Sequence, residues 1–241
     1  MNETEPDSIP KPNSTQHENK NENKNQSLEV IYLHGFASGP KSAKAVFFAQ
    51  KLAELEIKVH IPDLNQPSFE FMTLSSQLQV VRETLEQIPH DRSLVLIGSS
   101  MGGLIATMTA KHTNNLKALV LLAPGFGLAK RWPALFGEQS LNDWKEKGWL
   151  DVFNYAAGKP QPLSYKFFED IANHQTDELL VNIPTIIFHG KGDETVPISA
   201  SERFADRNHQ YARLYTLDDD HQLLASTEYM WRQCNELLGS L

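Results

Sequence analysis

Short apolar runs alternate with amphipathic stretches from Leu28 to the C-terminus, and the two kinds differ in period. Leu28 to Leu33, Ile57 to Ile61, Ser93 to Ile97, Leu116 to Ala123, Thr185 to His189 and Ala212 to Leu217 read as strands. Helical spacing fills the intervals. Ala45, Phe48, Ala49, Leu52 and Leu55 share one face of Ser42 to Glu56, and Leu74, Leu78, Val81, Leu85 and Ile88 one face of the next segment. Further helices are predicted from the Gly98-Ser99-Ser100 turn to about His112, from about Ser199, and from Leu223 to Leu238. A strand apolar at nearly every position needs cover on both faces, which crossover helices supply to parallel strands. The alternation therefore predicts an α/β fold, a mostly parallel sheet flanked by helices.

The pattern breaks once, between about Gly125 and Asn182, where no strand is obvious. Ten of the 22 aromatic residues fall in that stretch. It reads as a helical cap inserted into a single domain spanning 28–241. Most of its aromatics are expected to pack the cap, and a few to line an apolar acyl pocket. Residues 1–27 are polar, with Pro6, Pro10 and Pro12, and bury too little apolar area to offset ordering entropy. They are expected to form a disordered tail.

Composition narrows the function classes. Thirty acidic against 22 basic residues give a net charge of −8, the wrong sign for a phosphate-neutralising, nucleic-acid-binding domain. Cys234 is the single cysteine, so neither an intrachain disulfide nor a cysteine-rich zinc module is expected. No apolar run approaches the length of a membrane span, and no secretory h-region opens the chain. A cytoplasmic protein is the resulting expectation. P-loop, G-x-G-x-x-G, H-E-x-x-H and EF-hand patterns are absent from the sequence, so no cofactor or metal is implied.

Gly98-Ser99-Ser100-Met101-Gly102 fits G-x-S-x-G, between a buried strand and a helix. This is the context of a nucleophile elbow, a sharp turn that lifts Ser100 clear of the sheet. Gly98 and Gly102 lack side chains that would collide with the turn, and the helix N-terminus favours negative charge nearby. A serine nucleophile needs a base, usually histidine, and this type of turn expects the chain order serine, acid, histidine. His221, between the last strand and the last helix, is the base that position favours. Asp193 is the favoured acid, the first after the glycines of the strand-to-helix loop, with Glu194 as its rival. An acid there would orient the imidazole and stabilise its charged form. Two backbone N–H groups are expected to form an oxyanion hole. One comes from Met101 and the other from Phe36, in the glycine-containing loop after the first strand. His34 is expected to bond locally and shape that loop.

These residues identify the chain as resembling the α/β-hydrolase superfamily from Leu28 onward. Tyr32 to Ala45, reading YLHGFASGPKSAKA, and Gly98 to Gly103 are similar to the corresponding segments of small YqiA-like esterases. The cap and the loop Gly192 to Pro197 are more similar to those of a mitochondrial α/β-hydrolase that removes acyl groups from protein cysteines. The resemblance implies hydrolysis of esters or acyl thioesters by Ser100, Asp193 and His221. The chain departs from many larger members in one respect: residues 1–27 carry no strand pattern, so the sheet is expected to lack the two strands with which those members begin. Carbon–carbon bond hydrolysis or a lyase step by the same triad is the first alternative. A non-catalytic binding module on a hydrolase scaffold is the second.

Overall fold

The computed structural model describes residues 27–241, so the expected tail lies outside the described residues apart from Ser27. The main strands are β1 (Leu28–Leu33), β2 (Lys58–His60), β3 (Ser93–Ser99), β4 (Leu116–Leu122), β7 (Thr185–Gly190) and β8 (Ala212–Leu217). They form one sheet in the order β2-β1-β3-β4-β7-β8, every neighbouring pair parallel. The expected α/β architecture is present.

Strand alternation decides which helix covers which face. In β3, Leu94 and Leu96 join one buried cluster and Val95 and Ile97 the other. Helices α1 (Ala43–Glu54) and α8 (Thr227–Ser240) cover the Val95 face through Phe48, Leu52, Met230 and Trp231. Helices α2 (Leu74–Glu86), α3 (Met101–Ala110) and α7 (Ser199–Arg207) cover the Leu96 face through Val81, Leu104, Ile105 and Phe204. Thr73 starts α2 with a capping box, accepting from the Ser76 N–H at 3.0 Å while Ser76 Oγ accepts from the Thr73 N–H at 2.9 Å.

The connection order creates the crevice. From β1 the chain steps outward to β2, then returns past β1 to β3. Leu33 pairs with Gly98, so β1 and β3 end side by side and their loops leave together. Ligands of open parallel sheets bind outside the carboxyl ends of strands at such a switch point.

Between β4 and β7 lie α4 (Leu128–Phe136), α5 (Glu138–Lys147) and α6 (Lys166–Ala172). This segment is helical as expected but also holds an antiparallel hairpin, β5 (Trp149–Asn154) with β6 (Lys159–Ser164). Trp149, Asp151 and Phe153 are exposed and alternate with more buried neighbours, a period of two. Pro160 and Pro162 conceal β6 in the sequence, because proline is rare in strands. They fit here because a two-stranded ladder leaves one side of each strand unpaired. Trp132 anchors the segment, with ring centroids 5.3 Å from Phe167, 5.4 Å from Phe136 and 6.2 Å from Trp144.

The last helix begins at Thr227, four residues later than the periodicity predicts. Leu223 is fully buried but sits at φ 54°, a left-handed conformation that no helix continues through. Cys234 is buried in α8, where burial pushes its thiol pKa up, so it packs as a small hydrophobe. Among the described residues, no helix is long and apolar enough to cross a membrane.

Candidate active site

Ser100 follows β3 and is the N-cap of α3, at φ 52° and ψ −116°. A non-glycine residue with positive φ is strained, and such strain persists only where surrounding bonds over-determine it. Here the Ser100 N–H donates to Leu122 O at 2.8 Å, and Ser100 O accepts from the Gly125 and Gly103 N–H groups at 2.9 Å each. The turn is thus tied to β4 on one side and to its own helix on the other. The side chain is left pointing into the crevice.

His221 and Asp193 reach Ser100 from the loops after β8 and β7. His221 Nε2 lies 3.0 Å from Ser100 Oγ, and His221 Nδ1 donates to Asp193 Oδ2 at 2.7 Å. Asp193 Oδ1 accepts from the Thr195 and Val196 N–H groups at 2.9 and 2.7 Å. The sequence leaves Glu194 as a rival acid; it is Asp193 that meets His221, and Glu194 is exposed. The two loops interlock, since the Gly192 N–H donates to Asp219 O at 3.0 Å and the Lys191 N–H to Leu217 O at 2.8 Å.

The Asp193 side chain has no exposed surface. Burial opposes its charge, but hydrogen bonds from His189, His221 and the Val196 N–H prevail and hold its pKa well below the usual carboxylate range. A depressed folded-state pKa contributes stability that is present above the unfolded value of about 4 and is lost as pH falls through the folded value. The Tm gap between wild type and Asp193→Asn should therefore be wide at about pH 6 and shrink steadily below about pH 4. Thermal melts across that range check this, and a gap independent of pH refutes it.

The loop after β1 forms the opposite wall. A Cβ placed on Gly35 would lie 3.4 Å from Ser100 Cβ, so the loop runs against the serine. The Phe36 ring packs among Phe167, Trp132 and Phe69 at 5.3, 5.6 and 6.0 Å, which fixes the backbone at that residue. Met101 is the first residue of α3, where N–H groups have no partner within the helix. His34 is buried and bonds locally: Nδ1 donates to Gly35 O at 2.9 Å and Nε2 accepts from the Leu64 N–H at 3.0 Å. The hairpin completes the wall, with the Tyr155 N–H donating to Ala37 O at 2.8 Å.

A cleft of about 1020 Å³ opens over Ser100 and His221. Val152, Phe153 and Tyr155 of the hairpin and its turn line one side, and the loop from Gly35 to Lys44 the other. Only these two of the ten insertion aromatics, Phe153 and Tyr155, reach the cleft.

Two residues at the site were not anticipated. Lys44 is nearly buried in the first turn of α1, and its Nζ donates to Gln222 O, beside His221, at 2.7 Å. Burial lowers its pKa to about 8 against the upward pull of Asp219, Asp220 and Asp193. Arg131 of α4 donates from Nη1 to Thr195 O at 3.0 Å, tying the inserted segment to the Asp193 loop. Neither carries a sequence signal, because a lysine or arginine in an amphipathic helix reads as solvated surface.

Sheet order and the strained serine turn together define an α/β-hydrolase fold. The chain belongs to the uncharacterised protein family UPF0227, which it matches over residues 29–236, in line with its YqiA-like segments. It is similar to mouse alpha/beta hydrolase domain-containing protein 10, with TM-score 0.73 and 20% identity over 88% of this chain and 90% of that one. It is also similar to Est1E from Butyrivibrio proteoclasticus, a structure with ferulic acid bound, at TM-score 0.67 and 21% identity over 88% and 89%. A monoacylglycerol lipase from Paleococcus ferrophilus is similar at TM-score 0.65 and 14% identity over 88% and 94%.

Proposed function

We propose that this protein is a serine hydrolase that cleaves carboxylic esters or acyl thioesters through an acyl-enzyme. The observation that carries the reading is the 3.0 Å approach of His221 Nε2 to Ser100 Oγ, with Nδ1 held by a buried, ionised Asp193. Ser100 Oγ attacks the carbonyl carbon while His221 Nε2 takes its proton. The Phe36 and Met101 N–H groups stabilise the tetrahedral oxyanion. The carbon–oxygen or carbon–sulfur bond then breaks, and the leaving alcohol or thiol takes the proton from His221. Water, deprotonated by His221, attacks the acyl-enzyme. The carboxylic acid departs and Ser100 recovers its proton.

The segment between β4 and β7 acts as a cap in this reading. Val152 and Phe153 give the cleft an apolar wall suited to an acyl chain, which supports an ester or thioester over a small polar substrate. The structural neighbours named as Est1E with bound ferulic acid and as a monoacylglycerol lipase favour the same chemistry.

A fluorophosphonate tests the reading. Ser100 Oγ would displace fluoride from phosphorus, giving a single adduct visible in intact mass. The expected result is one adduct on wild type, none on Ser100→Ala and slowed formation on His221→Ala. Wild type that takes no label refutes the reading in favour of a binding module.

A further inference from the structure

We infer that His189 is a positioning residue for the proposed reaction, anchoring the Asp193 carboxylate from the side opposite His221. The inference rests on the serine-hydrolase reading.

His189 is the fifth residue of β7 and shares its face with Ile187, so it points into the space between the sheet and α7. It is completely buried. Its Nε2 lies 2.9 Å from Val196 O and 3.1 Å from Asp193 Oδ2. Both are acceptors, so this nitrogen carries the hydrogen and shares it between them. Its Nδ1 lies 2.7 Å from Ser201 Oγ, on buried Ser201 of α7. In the neutral ring, Nδ1 accepts from that hydroxyl, which sets the tautomer that donates to Asp193.

The two imidazoles meet on one atom. His221 donates to Asp193 Oδ2 at 2.7 Å, and His189 reaches the same oxygen. The Thr195 and Val196 N–H groups pin Oδ1, while His189 restrains the swing of Oδ2. Val196 takes part twice, its N–H on Asp193 and its carbonyl on His189, so ring, loop and carboxylate form one closed set of bonds. A leucine or phenylalanine would fill a buried strand position without any polar group to satisfy. A histidine with both nitrogens engaged has a polar task there. Its hydrogen bond is also the foremost of those that keep Asp193 ionised against burial.

The position predicts a defect in the chemical step, since His189 reaches Ser100 only through Asp193 and His221. Saturation kinetics of fluorophosphonate labelling separate the maximal labelling rate from probe affinity without a known substrate. His189→Leu should lower the maximal rate about 30-fold, the scale of one charge-assisted hydrogen bond, with probe affinity held within about twofold. Glutamine can place its amide nitrogen near the Nε2 position, whereas asparagine reaches only the Nδ1 position. His189→Gln should label within about threefold of wild type and His189→Asn as slowly as His189→Leu. Equal rates for glutamine and asparagine overturn the inference even if the leucine variant does not fold. So does a folded His189→Leu that labels like wild type. A wild type that takes no label overturns the hydrolase reading itself, and this role with it.

Discussion

Ser100→Ala is expected to lower turnover of an activated ester by about 10⁵-fold, the scale seen when one member of a catalytic triad is removed. The hydroxyl is the only group lost, and it lies 3.0 Å from His221 Nε2. The backbone bonds that hold the turn, to Leu122, Gly125 and Gly103, use main-chain atoms and survive. Alanine and serine meet the same penalty at φ 52°, so Tm should move by no more than about 2 °C. In the proposed mechanism the residual rate would come from the Phe36 and Met101 N–H groups and from binding, which the substitution leaves in place. His221→Ala should lose nearly as much, and the double variant little more than either alone, because the two act as one unit. Steady-state rates on a nitrophenyl ester check this. Turnover of Ser100→Ala within about tenfold of wild type would refute Ser100 as nucleophile.

The second large effect is on folding. A Cβ added at Gly102 would lie 2.1 Å from Leu33 O and 2.6 Å from His34 O. Those are main-chain atoms at the end of β1, so no rotamer change relieves the collision. Helix α3 would have to retreat from β1, widening the space between the Ser100 turn and the Phe36 loop. Overpacking that moves backbone costs about 3 kcal/mol or more, a large share of the roughly 5–15 kcal/mol that holds a domain together. Gly102→Ala is therefore expected to unfold at much lower urea than wild type, or to fail to accumulate as soluble protein. Gly239→Ala is the control. It lies near the end of α8 with nothing within 4 Å of the added atom, and should change stability by less than about 1 kcal/mol. A urea midpoint for Gly102→Ala equal to that of Gly239→Ala would refute the close-packed elbow.

What could be read from the sequence is what short-range sterics decide. A buried run followed by G-x-S-x-G leaves few backbone paths, so the elbow and the helix after it were legible within a dozen residues. The same holds for the parallel sheet, because an all-apolar run such as Leu94 to Ile97 has to be covered on both faces. The hairpin was less legible. The alternation from Trp149 to Asn154 is a strand signal, but Pro160 and Pro162 argue against its partner until the open side of the ladder is known.

The site itself divides along the same line. Ser100 and Met101 occupy places dictated by their own turn. Choosing Asp193 over Glu194 depends on which carboxylate faces His221, 28 residues away along the chain. Lys44 reaches the backbone beside His221 across 178 residues of sequence. His189 looks like the end of a strand, and only burial against Ser201 and Asp193 turns it into a donor. The chain alone determined the α/β layering and the strained turn, because both follow from periodicity and excluded volume among near neighbours. Only the tertiary structure decided which polar groups meet, because a hydrogen bond requires an approach near 3 Å between atoms whose positions the whole sheet sets.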